Sequence, residues 1–160
     1  MHREQAPSRG RRETAINSSN ATHYGSCFCG AVRIAVRGEP LGMGYCHCQS
    51  CRSWSASPVN AFTLWKSADV ALESGAELVE TYHQTPRSFR KWCRKCGGHV
   101  MTDHPLWGLI DVFAAVLPTL AFQPAVHVNY AESVLPNRDG LPKLHDFPKD
   151  LGGSGISVPE

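Results

Sequence analysis

The strongest constraint on this chain comes from its seven cysteines, which are grouped in three short motifs. In chain order the motifs are a Cys-x-Cys pair, a Cys-x-Cys-x-x-Cys triplet and a Cys-x-x-Cys pair: Cys27 and Cys29; Cys46, Cys48 and Cys51; Cys93 and Cys96. Residues 1–21 lack the apolar run of about 7–15 residues that marks a secretory signal, so a reducing cytoplasm is the expected compartment. Clustered thiols there bind metal or exchange electrons more often than they form structural disulfides.

A Cys-x-x-Cys turn lets two thiolates approach one metal ion, because the chain folds back and its backbone N–H groups point at the sulfurs. The last motif, followed by Gly97-Gly98, fits this arrangement. A Cys-x-Cys pair on a strand has both side chains on one face but about 6.6 Å apart, so the chain must bend to bring the sulfurs together. Gly25 and Gly30, which flank the first motif, are predicted to allow that bend.

Seven thiols cannot complete two sites of four cysteines each, so the economical division is four plus three. One set is predicted to close a tetrahedral structural site and the other to hold a second metal by three ligands: Cys27, Cys29, Cys93 and Cys96; Cys46, Cys48 and Cys51. All-thiolate sites select soft or borderline ions, which predicts two zinc ions per chain, although iron also occupies four-cysteine sites. His47, His99 or a water could complete the second site. The competing interpretation is redox chemistry, which needs fewer thiols than this chain has.

A zinc ion held by three thiolates carries a local charge of about −1, which makes it a weak Lewis acid and a poor source of hydroxide. It can still accept a fourth thiolate from a substrate, with release of that thiol's proton. The open coordination position at Cys46, Cys48 and Cys51 therefore predicts a thiol substrate.

The rest of the chain has the pattern of strands separated by Gly- and Pro-rich loops. Apolar alternation or continuous apolar sequence predicts strands at residues 31–37, 59–65, 87–92, 108–117 and 125–130. Residues 68–83 fit short strands about as well as a broken helix, and short strands are the interpretation adopted. The expected fold is mainly β, with antiparallel sheets, little helix and stabilisation by zinc. One domain is expected over residues 22–150, after a disordered lead-in at 1–21 and before a flexible tail at 151–160.

Charge argues against nucleic acid as a partner, and hydropathy against a membrane. The formal charge is only +2, and seven thiolates binding two divalent ions would bring it close to neutral. Basic residues cluster only at Arg9, Arg11 and Arg12. No segment approaches the ~18 apolar residues of a membrane span.

The motifs occur in the order Cys-x-Cys, then Cys-His-Cys-x-x-Cys-Arg, then Cys-x-x-Cys-Gly, and Asp139-Gly140-Leu141-Pro142 follows later. This order resembles the glutathione-dependent formaldehyde-activating enzyme family, which also includes centromere protein V. The resemblance extends from about Tyr24 to Pro148. It implies a tent-like β fold with two zinc ions, one structural at the four cysteines and one associated with catalysis at the three. The implied activity is that of a carbon–sulfur lyase, run towards synthesis, in which the thiol of glutathione adds to formaldehyde to give S-(hydroxymethyl)glutathione.

Other polar side chains are candidates for roles around the second metal. Arg52 could hold a substrate carboxylate through a bidentate contact, or be a structural arginine. His47, between two ligands, is predicted to support the site rather than bind the metal, and His99 could approach the cleft. Asp111 interrupts the most apolar run, so it is either a structural hydrogen-bond acceptor or a general base with a raised pKa. The alternative to an enzyme is a non-catalytic zinc module that binds protein or nucleic acid.

Overall fold

The computed structural model describes residues 21–160, which form twelve strands, one α-helix and five short 3₁₀ turns. The strands are β1 (Thr22–Ser26), β2 (Arg33–Arg37), β3 (Gly42–Cys46), β4 (Asn60–Lys66), β5 (Val70–Ser74), β6 (Val79–Thr85), β7 (Ser88–Cys93), β8 (His99–His104), β9 (Leu109–Phe113), β10 (Val126–Val128), β11 (Lys143–Leu144) and β12 (Ser157–Val158). The helices are α1 (Gln49–Ser55) and the 3₁₀ turns Ser67–Asp69, Ala76–Leu78, Ala114–Val116, Tyr130–Glu132 and Lys149–Leu151. The lead-in predicted at residues 1–21 lies outside the described residues, apart from Ala21. None of the helices in residues 21–160 is long and apolar enough to cross a membrane.

The strands form two sheets. One has three strands in the order β1-β2-β5, and the other has nine in the order β12-β11-β10-β3-β4-β9-β8-β7-β6. Neighbours pair antiparallel, except that β10 runs parallel to both β3 and β11. The prediction of a mainly β fold with antiparallel sheets and little helix is therefore confirmed.

The larger hydrophobic core joins the two sheets. In β2, Ile34 and Val36 are buried as the sequence predicts, but Ala35 between them is buried as well. The strand is therefore exposed only at its ends, Arg33 and Arg37, and does not alternate strictly. Ile34 and Val36 pack in one cluster with side chains from β4, β8 and β9: Trp65, Val100, Met101, Ile110 and Val112. Burying each such side chain contributes about 1.5–3 kcal/mol, so this shared core is the main attraction between the sheets.

The opposite face of the nine-stranded sheet carries a row of polar side chains. Residues that lie directly opposite one another on neighbouring strands share a face of the sheet. Arg90 of β7 lies opposite Thr102 of β8, Thr102 lies opposite Asp111 of β9, and Asp111 lies opposite Leu64 of β4. Arg90, Thr102 and Asp111 are all buried. The sheet thus has an apolar face toward the three-stranded sheet and a face with buried polar groups.

Strand β3 brings the three-cysteine motif to that second face. Its last residue, Cys46, lies opposite Asn60 on β4. Because side chains alternate along a strand, Asn60 lies on the same face of β4 as Leu64, which is the face of the polar row. Helix α1 begins three residues after Cys46 and packs against β4. The motif is therefore split between a strand end and a short helix above the polar row.

The last segment of the chain pairs with the sheet. The sequence predicts a flexible tail at residues 151–160, whereas the structure has β12 there, antiparallel to β11. The Lys143 side chain of β11 is 1% exposed, and its Nζ donates to Glu160 Oε1. A buried ammonium needs such acceptors, and this requirement holds the segment against the sheet.

Candidate functional site

The first and last cysteine motifs meet between the two sheets. Cys27 and Cys29 lie in the turn after β1, Cys93 ends β7, and Cys96 lies in the turn before β8. Their four sulfurs lie within 4.8 Å of one another. Backbone N–H groups of Val32 and Gly98 donate to Cys27 Sγ and Cys96 Sγ at 3.3 and 3.4 Å. Four sulfurs with backbone donors pointing at them fit a closed metal site, so this cluster could hold an ion.

Two glycines shape this cluster. Gly30 has φ of +74°, a left-handed conformation that few other residues adopt, and it turns the chain after the Cys-x-Cys pair. A Cβ on Gly98 would lie 2.7 Å from the backbone N of Phe28, so only glycine lets the two turns approach this closely. Gly25, predicted to help the bend, instead lies in β1, where a Cβ would meet the Val116 carbonyl oxygen at 2.3 Å. Its role is close packing.

The three-cysteine motif also brings its sulfurs together. Cys46 ends β3, Cys48 is the N-cap of α1, and Cys51 lies in the first turn of that helix. The three sulfurs lie within 4.8 Å of one another, so this second cluster could hold an ion as well. Neither His47 nor His99 joins that group of ligand atoms. The structure thus reproduces the predicted division of four plus three.

Each of these three sulfurs accepts a hydrogen bond. Asn129 Nδ2 donates to Cys46 Sγ at 3.5 Å, the backbone N–H of Cys51 donates to Cys48 Sγ at 3.3 Å, and Arg90 Nη2 donates to Cys51 Sγ at 3.6 Å. Hydrogen bonds to the charged form of a thiol favour that form. The donors therefore suit thiolates, which are the form that binds metal.

Crowding sets the ionisation of the three thiols. Hydrogen bonds from Cys46 and Cys51 lower the pKa of Cys48, and the same interaction with Cys48 raises the pKa of Cys46. Three neighbouring thiolates repel one another, so a divalent cation among them would stabilise all three in the charged form. The donor set thus fits a metal ion.

Arg90 is a component of the site that the sequence analysis missed. Its side chain is only 5% exposed and reaches across from β7 to α1, where Nη2 also donates to Ser50 Oγ at 3.1 Å. Nη1 donates to Thr102 Oγ1 at 3.3 Å. A buried guanidinium requires a negative partner, and thiolates at Cys51 and its neighbours supply one.

Asp111 lies on the same face as Arg90, two strands away. Burial raises the pKa of its carboxyl group to about 7, the charge of Arg90 opposes this shift, and Cys48 adds to it. Among the described residues, none donates a hydrogen bond to Asp111 Oδ1. Whether Asp111 is a structural acceptor or a general base stays a prediction.

A closely packed crevice lies beside Asp111, and it has no room for a water molecule. Its walls include Trp54 of α1, His99 of β8 and Phe113 of β9. The rings of Trp54 and His99 are 4.8 Å apart, and those of His99 and Phe113 are 5.0 Å apart. In the described part of the chain His99 Nδ1 has no hydrogen-bond partner. His99 thus lies in the cleft, as the sequence suggested it could.

His47 points into a buried chain of hydrogen bonds. Its Nε2 lies 2.8 Å from His127 Nδ1, and His127 Nε2 lies 2.8 Å from Asp139 Oδ2. Both imidazoles are fully buried. Because a carboxylate only accepts, His127 Nε2 donates to Asp139 Oδ2. Arg52 Nε donates to the His47 carbonyl oxygen at 2.9 Å, so that arginine braces the turn.

The buried carboxyl group of Asp111 predicts a pH-dependent stability. Unfolded, this group deprotonates near pH 4, whereas folded it holds its proton up to about pH 7. Stability is therefore lost as pH rises through this window, and is lowest above it. Between about pH 5 and pH 8 the loss is about 3 kcal/mol.

We expect Asp111→Asn to remove this loss. The free energy of unfolding of the variant, relative to that of the wild type, should therefore rise from about pH 5 to about pH 8. Urea denaturation at each pH measures it. The matched control is Asp103→Asn, whose side chain lies on the other face of β8. A difference between Asp111→Asn and wild type that does not change with pH would contradict the prediction.

Comparison with known proteins places this site in a family. The model of the family described as glutathione-dependent formaldehyde-activating enzyme matches residues 22–132. An uncharacterized lyase of Schizosaccharomyces pombe is 33% identical over 75 residues, which are 47% of this chain and 53% of that protein. The chain thus spans about half the length of that relative.

A second relative agrees with this assignment, and a solved structure shares the fold. A Halomonas elongata protein, whose name assigns it provisionally as a glutathione-dependent formaldehyde-activating enzyme, is 30% identical over 112 residues, 66% of this chain and 71% of that protein. A crystal structure of a Rhodobacter sphaeroides protein superposes with a TM-score of 0.51 at 25% identity, over 61% of this chain and 89% of the other. Since the family match contains all seven cysteines, the chain belongs to the glutathione-dependent formaldehyde-activating enzyme family.

Proposed function

We propose that this chain is a zinc-dependent carbon–sulfur lyase that forms S-(hydroxymethyl)glutathione from glutathione and formaldehyde. The observation that carries the proposal is the three-cysteine cluster, whose sulfurs meet on the sheet face that also holds a buried cation and a buried carboxyl group. Family membership supports the substrate pair. A second zinc ion would occupy the four-cysteine cluster as a closed structural site.

A zinc ion held by Cys46, Cys48 and Cys51 would lower the pKa of a thiol that takes its fourth coordination position. A thiolate bound there would add negative charge to a zinc–thiolate cluster whose own charge would be about −1. Arg90, whose Nη2 lies 3.6 Å from Cys51 Sγ, opposes that increase. Two unit charges about 4 Å apart interact by about 4 kcal/mol at the effective dielectric constant of protein sites, which is enough to offset much of the added repulsion.

The chemistry then requires little beyond positioning. The thiolate sulfur forms a bond to the aldehyde carbon, the electron pair of the C=O double bond moves to oxygen, and the oxygen takes up a proton. Holding both reactants at contact distance replaces an encounter between two free molecules.

The test is the rate of adduct formation above the spontaneous reaction. Purified protein with two zinc ions, mixed with glutathione and formaldehyde, is expected to accelerate formation of S-(hydroxymethyl)glutathione in proportion to protein concentration. Exchange spectroscopy by NMR follows the reaction in both directions at equilibrium. A rate equal to that of the protein-free mixture at saturating substrates would reject the proposal.

A further inference from the structure

The turn from β3 to α1 has to be bent for two of the three sulfurs to reach one metal ion. His47 lies in this turn, between Cys46 and Cys48. An extended Cys-x-Cys pair would hold its sulfurs about 6.6 Å apart, whereas those of Cys46 and Cys48 lie within 4.8 Å of each other. Whatever fixes His47 therefore also fixes the two ligands on either side of it.

The His47 side chain points away from the sulfurs. Its ring contacts that of His127 on β10. The next residue of that strand, Val128, packs with Cys46. Because side chains alternate along a strand, His127 lies on the opposite face of the sheet from Val128 and Cys46. A contact that holds the His47 ring on the far face leaves the sulfurs of Cys46 and Cys48 on the near face.

His47 is held from three directions. Its backbone N–H donates to the Val128 carbonyl oxygen at 3.1 Å, and its own carbonyl oxygen accepts from Arg52 Nε at 2.9 Å. Its ring is fully buried, with Nε2 2.8 Å from His127 Nδ1. The ring also meets that of Tyr130 edge to face, with 4.8 Å between the centroids. Backbone and side chain together leave this turn little freedom.

His127 is fixed in turn by the segment Asp139-Gly140-Leu141-Pro142. Its backbone N–H donates to the Pro142 carbonyl oxygen at 2.9 Å, and its Nε2 donates to Asp139 Oδ2 at 2.8 Å. Burial opposes ionisation of Asp139, but hydrogen bonds from Lys143 and His127 lower the pKa of its carboxyl group below the ordinary range. Asp139 is thus a charged acceptor at neutral pH, and it reaches the metal-binding turn through His127.

This arrangement is not the most stable way to fill the space. Among residues 21–160, His47 Nδ1 has no hydrogen-bond partner, and a buried polar atom without one is destabilising. Two apolar rings would pack in the same volume without that penalty. A hydrogen bond differs from apolar packing in that it depends on direction, so it sets the orientation of the His47 ring.

We propose that His47, His127 and Asp139 form a positioning array, which keeps the turn between Cys46 and Cys48 bent so that both sulfurs reach one metal ion. The inference rests on the part of the proposed function that puts an ion at the three-cysteine cluster, and not on its substrates. The members of the array are positioning residues, since the ligand atoms that meet at this cluster are the three sulfurs.

The test is the zinc affinity of each site in His127→Phe, which keeps a buried ring and removes its side-chain hydrogen bonds. Groups that orient metal ligands usually contribute 10–100-fold to metal affinity. We therefore expect the three-cysteine site to bind zinc roughly 10–100-fold more weakly, and the four-cysteine site to bind it as in wild type. Competition with a chelator of known affinity measures both sites, and native mass spectrometry counts the ions retained.

Two controls assign the effect to the array. In the Cys48→Ser background, which lacks the second site, adding His127→Phe should not change the affinity for the remaining zinc ion. Trp65→Phe alters a fully buried side chain of the larger core, outside the array. It is expected to lower the thermal midpoint and to leave the affinity of the three-cysteine site unchanged.

An unchanged affinity of the three-cysteine site in His127→Phe would overturn the array, and so would an equal loss of affinity in Trp65→Phe. Asp139→Ala is the second variant, to be used if His127→Phe does not fold, because the Asp139 side chain is 36% exposed. It should also weaken zinc binding at the three cysteines, and wild-type affinity in this variant would contradict the inference.

The outcomes separate this inference from the proposed function. A wild type that binds two zinc ions without accelerating the reaction rejects the lyase assignment, while the array is still decided by the affinities. A wild type that accelerates the reaction, together with a His127→Phe variant of equal zinc affinity, rejects the array alone. A wild type that binds zinc only at the four cysteines rejects both.

Discussion

Replacement of Cys96 by serine is expected to abolish folding of the domain. A structural zinc site contributes roughly 10–16 kcal/mol of binding free energy, whereas whole domains are stable by only about 5–15 kcal/mol. Loss of one of four thiolate ligands removes a large part of that contribution. Circular dichroism during thermal denaturation, with zinc measured on the same sample by atomic emission, should show no cooperative transition and loss of zinc.

The position of the four-cysteine cluster explains the size of this effect. It connects the turn between β1 and β2 to the turn between β7 and β8, and so joins the three-stranded sheet to the nine-stranded sheet. Two of its members, Cys27 and Cys93, are 3% and 0% exposed and belong to the core that the sheets share. Without a metal ion at this cluster, the two turns that it joins would be released from each other.

Lys95→Ser is the matched control for Cys96→Ser, because Lys95 is an exposed residue of the same turn. It is expected to keep the wild-type midpoint within a few degrees, since exposed substitutions usually change stability by less than about 0.5 kcal/mol. A Cys96→Ser protein that melts cooperatively at the wild-type midpoint would show that the four-cysteine cluster does not hold the fold.

The sequence predicted the strands whose side chains alternate clearly, and it predicted the cysteine grouping. Strands β2, β4 and β7 fall where the sequence predicts strands. Strand β2 packs its apolar side chains in the core and β4 contributes Trp65, whereas β7 contributes only Cys93. Within the apolar run at residues 108–117, the strand ends at Phe113 and a 3₁₀ turn follows it. Leu117, after that turn, is still buried. Periodicity cannot separate a buried strand from a buried turn.

Two strands of the site escaped prediction because their residues serve close packing or polar contacts. β3 contains Gly44, where a Cβ would meet the Val126 carbonyl oxygen at 2.3 Å, so this glycine lets the parallel strand β10 approach. β8 runs from His99 to His104 and has too many polar residues for an obvious strand. In both, tertiary contacts outweigh the intrinsic preferences of the residues.

The supporting groups of the site could not be predicted because they are distant in sequence. Arg90 contacts Cys51 across 39 residues, and His127 contacts His47 across 80. Spacing within a motif identifies ligands, since a short turn brings them together without help from the rest of the chain. The partners of those ligands depend on the sheet register, which a single sequence does not specify.

Replacement of Cys48 by serine is expected to remove the second metal and leave the fold intact. Cys48 is the N-cap of α1, where its sulfur accepts the backbone N–H of Cys51. Serine is among the preferred N-cap residues, so the helix keeps its cap while the metal loses a thiolate. Zinc content should fall from about two ions per chain to about one, with the thermal midpoint near that of wild type.

The same variant should lose the catalysed reaction almost completely. Without the metal the thiol of glutathione is neither ionised nor held at the site, and loss of such positioning corresponds to a rate loss of at least about 10³-fold. Ser53→Ala is the control, because Ser53 lies on an exposed part of α1 and should keep both zinc ions and the rate. A Cys48→Ser protein with one zinc ion and the wild-type rate would show that the reaction does not take place at the three-cysteine cluster. A Cys48→Ser protein that keeps two zinc ions but loses the catalysed rate would instead show that Cys48 is needed for catalysis and not for metal binding.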